Sequence, residues 1–101
     1  MKNGRASRTA LKPEQFELIA KALADPRRVA LLEAIANEHP CACSELRQQF
    51  PVSKATISHH IKELVRAGLV TAQRQGQFLK CDVRKDILAA YTKALLRRVG
   101  A

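Results

Sequence analysis

A mainly α domain of about five helices with one small β-hairpin is the fold class this sequence predicts, and three observations predict it. Apolar residues recur at helical spacing in separate segments between Pro13 and Arg98. A stretch at 78–83 alternates with period two instead. Two of the helical segments are separated only by Pro51-Val52, too short a link for anything but a tight turn. At 101 residues the chain suits one domain: a basic tail over 1–12 and a folded unit over 13–101.

Taken in order, Pro13 suits the first turn of a helix whose Phe16, Ile19, Ala20 and Leu23 share a face, running to about Ala24. Asp25-Pro26 restarts the helix, because Asp caps free N–H groups and Pro at the first position loses no hydrogen bond. Val29, Leu32, Ile35 and Ala36 form the second stripe, ending near Asn37 before Glu38-His39-Pro40. Ser44 caps a short third helix with Leu46 and Phe50 inward. Ser53 caps a fourth, in which Ile57, Ile61, Leu64 and Val65 make one stripe and Gly68 supplies the stop.

Leu69-Val70-Thr71-Ala72 and residues 78–83 then read as a two-stranded hairpin around Arg74-Gln75-Gly76, with Leu79, Cys81 and Val83 inward and Phe78, Lys80 and Asp82 outward. A last helix from about Arg84 carries Ile87, Leu88, Tyr91, Ala94 and Leu95 on one side. Lys93, Arg97 and Arg98 lie near its end, where cations suit the dipole.

Charge narrows the partner. Eighteen Lys and Arg against nine Asp and Glu give a formal charge of +9, which points to a polyanion, nucleic acid first. Lys2, Arg5, Arg8 and Lys12 put part of that charge in the tail. Three Phe, one Tyr and no Trp argue against an aromatic platform for single strands. There is no apolar run of signal-peptide or membrane-spanning type, so a soluble, cytoplasmic chain with reduced thiols and no membrane partner is expected. Enzyme chemistry is excluded as well: no nucleophile with base and orienting group, phosphate-binding Gly loop or paired carboxylates can be read, and Glu45 and Glu63 look like surface charges.

A helix that enters the major groove needs an apolar face for its scaffold and a short, polar or basic face for bases and phosphates. The helix after Ser53 has both. Opposite Ile61 lie Ala55, Thr56, His59, Lys62 and Arg66, with Ser58 and His60 on the flanks. Lys54, Thr56, Ser58 and His59 stand near its start, the end that points into the groove, and Ser53 with the free N–H groups behind it suits a phosphate. The hairpin tip, Arg74, Gln75, Gly76 and Gln77 with Lys80 nearby, would act as a wing on the backbone or in a minor groove. The result is a winged helix-turn-helix; the alternative is an interaction module on the same scaffold that reads no DNA.

The pattern resembles the arsenic-repressor (ArsR/SmtB) family of winged helix-turn-helix transcriptional regulators over nearly the whole chain after the tail. Its carriers are Ala22-Leu-Ala-Asp-Pro-Arg-Arg28 followed by Leu31-Leu32, Ser44-Glu-Leu46, Ser53-Lys-Ala-Thr-Ile-Ser-His-His-Ile61 and Leu64-Val-Arg-Ala-Gly-Leu-Val70. The resemblance implies a homodimer joined through the first and last helices, at Phe16, Ile19, Leu88, Tyr91 and Leu95. It implies a repressor on an inverted-repeat operator in double-stranded DNA, released by an inducer, with Thr56, Ser58, His59 and His60 in the base-reading turn. Many members have Arg where this chain has His59.

The cysteines carry two readings. Many relatives sense soft metals or metalloids through thiolates, and Cys41, Cys43 and Cys81 are enough for a trigonal site if they converge. The register departs from the family: relatives that sense through the third helix read E-L-C-V-C-D-L, whereas here Cys41 and Cys43 precede Leu46 by five and three positions. Those slots are apolar in such relatives. Cys81 falls on the inward alternation of its strand, so all three also fit a core role as small hydrophobes. The last helix lacks the Asp and His spacing of zinc-sensing relatives. No cofactor is certain from the sequence.

Overall fold

The computed structural model describes residues 10–37, 41–42, 46 and 48–100. In chain order these form α1 (Pro13–Leu23), α2 (Pro26–Asn37), β1 (Cys41–Ala42), α3 (Lys54–Arg66), β2 (Val70–Gln75), β3 (Phe78–Val83) and α4 (Lys85–Arg98). Four helices thus have bounds among the described residues, against the five or so expected. Of the short helix before Pro51, Leu46, Gln48 and Gln49 are helical, while its expected cap Ser44 and Glu45 lie outside the described residues. So do the tail over 1–9 and the loop Glu38-His39-Pro40.

Local chemistry sets the helix ends. Asp25 Oδ1 accepts from the backbone N–H of Arg27 at 2.9 Å, and this bond holds its carboxyl below the usual carboxylate range. Ser53, in extended backbone, accepts from the N–H of Thr56 at 3.2 Å and so caps α3. At the other end of α3, Gly68 takes φ +84°, with its N–H on Val65 O at 2.9 Å and the Leu69 N–H on Leu64 O at 3.0 Å. This paired closure of the last turn needs a left-handed residue, which is why glycine stands there.

The expected two-stranded hairpin is present as β2 and β3, and β1 joins it at the β3 edge to make three antiparallel strands in the order β1-β3-β2. A two-residue strand is too short to show alternation in sequence, so β1 left no signal. Its register sets Cys41 opposite Cys81 and Ala42 opposite Lys80. Between β2 and β3, Gln75 pairs with Phe78, which leaves Gly76-Gln77 as the turn. Gly76, at φ +63°, occupies the first of the two turn positions, the glycine slot of a II′ hairpin. Arg74 and Gln75 therefore lie in β2 and not in the turn.

Ile19 of α1, Leu31 and Ile35 of α2, Ile57 and Leu64 of α3, Val70 and Cys81 of the sheet, and Leu46 before Pro51 are all closed off from solvent in one core. The apolar stripe of α3 is thereby clamped on the α1–α2 layer on one side and β2 on the other. Its opposite face is left open.

Candidate nucleic-acid interface

The open face of α3 is short, polar and basic. Lys54, Ala55, Ser58, His59, Lys62 and Arg66 are exposed, and Thr56 is half-buried with its hydroxyl 2.9 Å from that of Ser53. No acidic residue stands in the first turn. Glu63, the one carboxylate of the helix, is 3.9 Å from Arg66 and so partly neutralised at the far end. Ser53 is exposed, but its hydroxyl closes the helix, so its contribution to an anion comes with that of the neighbouring N–H groups.

Two residues of α3 stand elsewhere than the spacing suggested. His60, expected among the DNA contacts, is only 5% exposed and turned into the protein. Val65, expected in the inward stripe, is 40% exposed. The buried set is Ile57, His60, Ile61 and Leu64, continued by Ala67. Ala67 extends the inward arc toward the His60 side and away from Val65, a cue available in the sequence but outweighed there by treating valine as core and histidine as surface.

His60 is held by Arg28. Arg28 Nη1 lies 3.3 Å from His60 Nδ1, while Nε donates to Ala22 O at 2.9 Å and Nη2 to Lys21 O at 3.5 Å. His60 Nε2 is buried with no hydrogen-bond partner among the described residues. Burial pushes the imidazole below its ordinary value, with Asp25 opposing and Arg28, Arg27 and His59 adding to the effect. In the sequence Arg28 stands out only through its place in the Asp25-Pro-Arg-Arg run, which gives no sign of a partner in α3.

The wing presents Arg74, Gln75, Gly76 and Gln77 to solvent, with Lys80 half-buried behind them. Gln73 pairs with Lys80 and Arg74 with Leu79, so the two cations stand on adjacent strands close to the turn of the hairpin. The described cations of the two elements are Lys54, Lys62 and Arg66 on α3 and Arg74 and Lys80 on the wing.

Among the residues expected to join two subunits, Ile19 is wholly enclosed by its own chain and so has no surface left for a partner. Phe16, also buried, meets Tyr91 with ring centroids 4.9 Å apart, and the Arg98 guanidinium covers it at 3.8 Å. Leu88 and Tyr91 pack half-buried against the core. Leu95 is exposed, and with it Leu96 and Val99, at 54% and 71%, which the α4 stripe did not include. Arg84 begins α4 with two bonds to Asp86, at 3.0 and 2.8 Å, and they hold the Asp86 carboxyl low.

Cys81 is fully buried in the core, and Cys41 takes the register position opposite it. Cys43 lies outside the described residues. Among the described residues no group of three His, Cys, Asp or Glu side chains is placed to hold a metal ion, and no helix is long and apolar enough to cross a membrane.

Comparison with known proteins agrees with this geometry. A family model described as a helix-turn-helix domain matches residues 23–73. The arsenical resistance operon repressor of Staphylococcus xylosus is 38% identical over 63 residues, 62% of this chain and 60% of that protein. The chain thus spans about 60% of the length of the first curated relatives it matches. The transcriptional repressor SdpR of Bacillus subtilis is 30% identical over 69% of this chain and 77% of its own length. Among solved structures, one of an ArsR family transcriptional regulator superposes with a TM-score of 0.77 at 31% identity, over 89% of this chain and 92% of that one. A homodimeric winged helix-turn-helix DNA-binding domain from Mycobacterium bovis has a TM-score of 0.69 at 23% identity, over 84% of this chain and 79% of that one, and shares the fold.

Proposed function

The chain belongs to the ArsR/SmtB family of winged helix-turn-helix transcriptional regulators, a family of regulators and not of enzymes, and on that footing we propose that it represses transcription as a homodimer on an inverted-repeat operator. In this reading the two α3 helices enter successive major grooves. The observation that carries it is the division of α3, with Ile57, Ile61 and Leu64 buried while Lys54, Ser58, His59 and Lys62 stand open.

Ser58, His59 and Thr56 meet base edges. Lys54, Lys62 and the N–H groups behind Ser53 hold phosphates, and Arg74, Gln75, Gln77 and Lys80 of the wing follow the backbone or a minor groove. A second subunit covers Leu95, Leu96 and Val99 beside Tyr91 and Phe16, a cluster too apolar to leave open beside so charged a face. The proposal puts the protein with its DNA, in the cytoplasm. Purified protein is expected to prefer duplex from its own upstream region over random duplex at ~150 mM salt, and to weaken steeply between ~50 and ~200 mM. Equal affinity for the two duplexes would sink this reading.

Release by an inducer is the second half of the proposal. The relatives named as arsenical resistance repressors make a soft metal or metalloid the first class to try, and the opposed positions of Cys41 and Cys81 bring two thiol-bearing residues together. Cys81 is fully enclosed in the core, and the thiols are read as packing groups. Titrating the DNA complex of reduced protein with arsenite, cadmium and hydrogen peroxide is therefore expected to leave it intact. Release by any of them, abolished in Cys41→Ser or Cys43→Ser protein, would assign the sensor to the thiols.

A further inference from the structure

One guanidinium ties three helices together. Arg28, in the first turn of α2, donates through Nε and Nη2 to the carbonyls of Ala22 and Lys21, which belong to the last turn of α1 and have few partners of their own. Its remaining arm, Nη1, reaches His60 of α3. A guanidinium donates and never accepts, so Nδ1 must be the acceptor and the neutral ring carries its proton on Nε2. That N–H is buried without a partner among the described residues. An apolar side chain would fill this part of the Ile57–Leu64 face without orphaning a donor, so the imidazole is explained by the acceptor it offers at Nδ1.

The apolar stripe holds α3 against the core but is tolerant of small rotations and slides, because packing attraction is not directional. A hydrogen bond is directional. His60 follows Ser58 and His59 in the same turn, so whatever fixes its ring fixes the azimuth of those two side chains.

We propose that Arg28 and His60 are positioning residues for DNA reading: their hydrogen bond sets the rotation of α3 on the α1–α2 corner, and mild acid weakens operator binding by protonating Nδ1. This rests on the assignment of α3 as the DNA reader. The charged and titratable groups around the ring are Asp25 from the α1–α2 corner, Arg27 and Arg28 from α2, and His59 from α3 itself. Burial of the ring is the largest of the influences that make it harder to protonate, with Asp25 opposing it and the guanidinium groups adding to it. Because the folded ring is harder to protonate than a free one, the unfolded chain takes up the proton first. The fold therefore loses stability as pH drops below about 6.5, toward the lower folded value.

The test measures binding of the full chain to duplex from its own upstream region and to random duplex, at pH 7.5 and 5.5 and constant salt, with the ring nitrogens of His60 followed by NMR. Wild type is expected to show a bare Nδ1 and a protonated Nε2, and to lose affinity for its own duplex in acid, by less at pH 5.5 than the full worth of the hydrogen bond because the folded ring is harder to protonate than a free one. Random-duplex binding should hold or tighten. His60→Asn, which keeps an oxygen acceptor near the Nδ1 position and does not titrate, should bind at pH 7.5 within about threefold of wild type and lose the acid effect. Arg28→Gln should lose about tenfold at pH 7.5 for its own duplex only.

A proton on Nδ1 in the neutral protein, or an acid profile unchanged in His60→Asn, overturns the inference, and the NMR result needs no variant to fold. If wild type fails to distinguish its own duplex at pH 7.5, the DNA-reading assignment itself has failed, and the positioning role goes with it.

Discussion

Leu64→Ala is expected to destabilise the protein by about 2–5 kcal/mol, a large part of the ~5–15 kcal/mol that holds a domain of this size. Leu64 is fully enclosed, on the inward face of α3, and its carbonyl also accepts from Leu69 N–H in the closure at Gly68. Truncation leaves a cavity between α3 and the α1–α2 layer at the point where the reader meets its support. With so few aromatic residues the core is built from branched aliphatics that fit one shape. Partial collapse into the gap would carry α3 with it, so specific DNA binding should fall further than the fraction of folded protein accounts for. Urea unfolding gives the first quantity, and binding at matched folded fraction the second. A loss below ~1 kcal/mol would show that α3 is held mainly by its polar contacts.

The comparison with Val65 sharpens the point. Val65 lies one residue on and is equally apolar, yet it is 40% exposed, and Val65→Ala is on the same grounds close to neutral for stability. Periodicity alone put both in the core.

Much of the architecture was legible because the local signals are strong ones. Asp25-Pro26, Ser53 and Gly68 act at helix ends through bonds that need particular side chains or a left-handed backbone, and each is found doing so. The wing was legible through alternation, which only a pleated strand produces. What escaped were features set by tertiary contacts. β1 is two residues long and exists only through its pairing with β3. Ile19 was assigned to a subunit contact, but nothing in a helical stripe distinguishes the part that faces the chain's own core from the part that faces a partner. Helical projection sets His60 on the flank of the polar face, where spacing alone does not decide burial, and Arg28 supplies the neighbour that makes its burial tolerable. In the exposed strip Lys54, Ser58, His59 and Lys62 needed no such partner, and the sequence alone located them.

Replacing Thr56, Ser58 and His59 together by alanine is the change expected to separate recognition from attraction. Base-edge contacts contribute about 1–3 kcal/mol of discrimination for each good pair, so losing this strip should lower affinity for the operator by about a hundredfold or more. Random duplex should be held nearly as before, because Lys54, Lys62 and the wing cations remain and the salt dependence they create belongs to phosphates. The fold should survive: Ser58 and His59 are exposed, and the cap bond to Ser53 comes from the backbone N–H of Thr56, which alanine keeps. Lys54→Ala with Lys62→Ala should do the reverse, weakening both duplexes alike and flattening the salt slope by about four, two contacts from each protomer of the dimer. Competition binding with both duplexes across a salt series distinguishes the two patterns. A triple variant that kept its operator preference would move base reading away from α3, to the wing or to DNA shape, and leave the helix as a phosphate clamp.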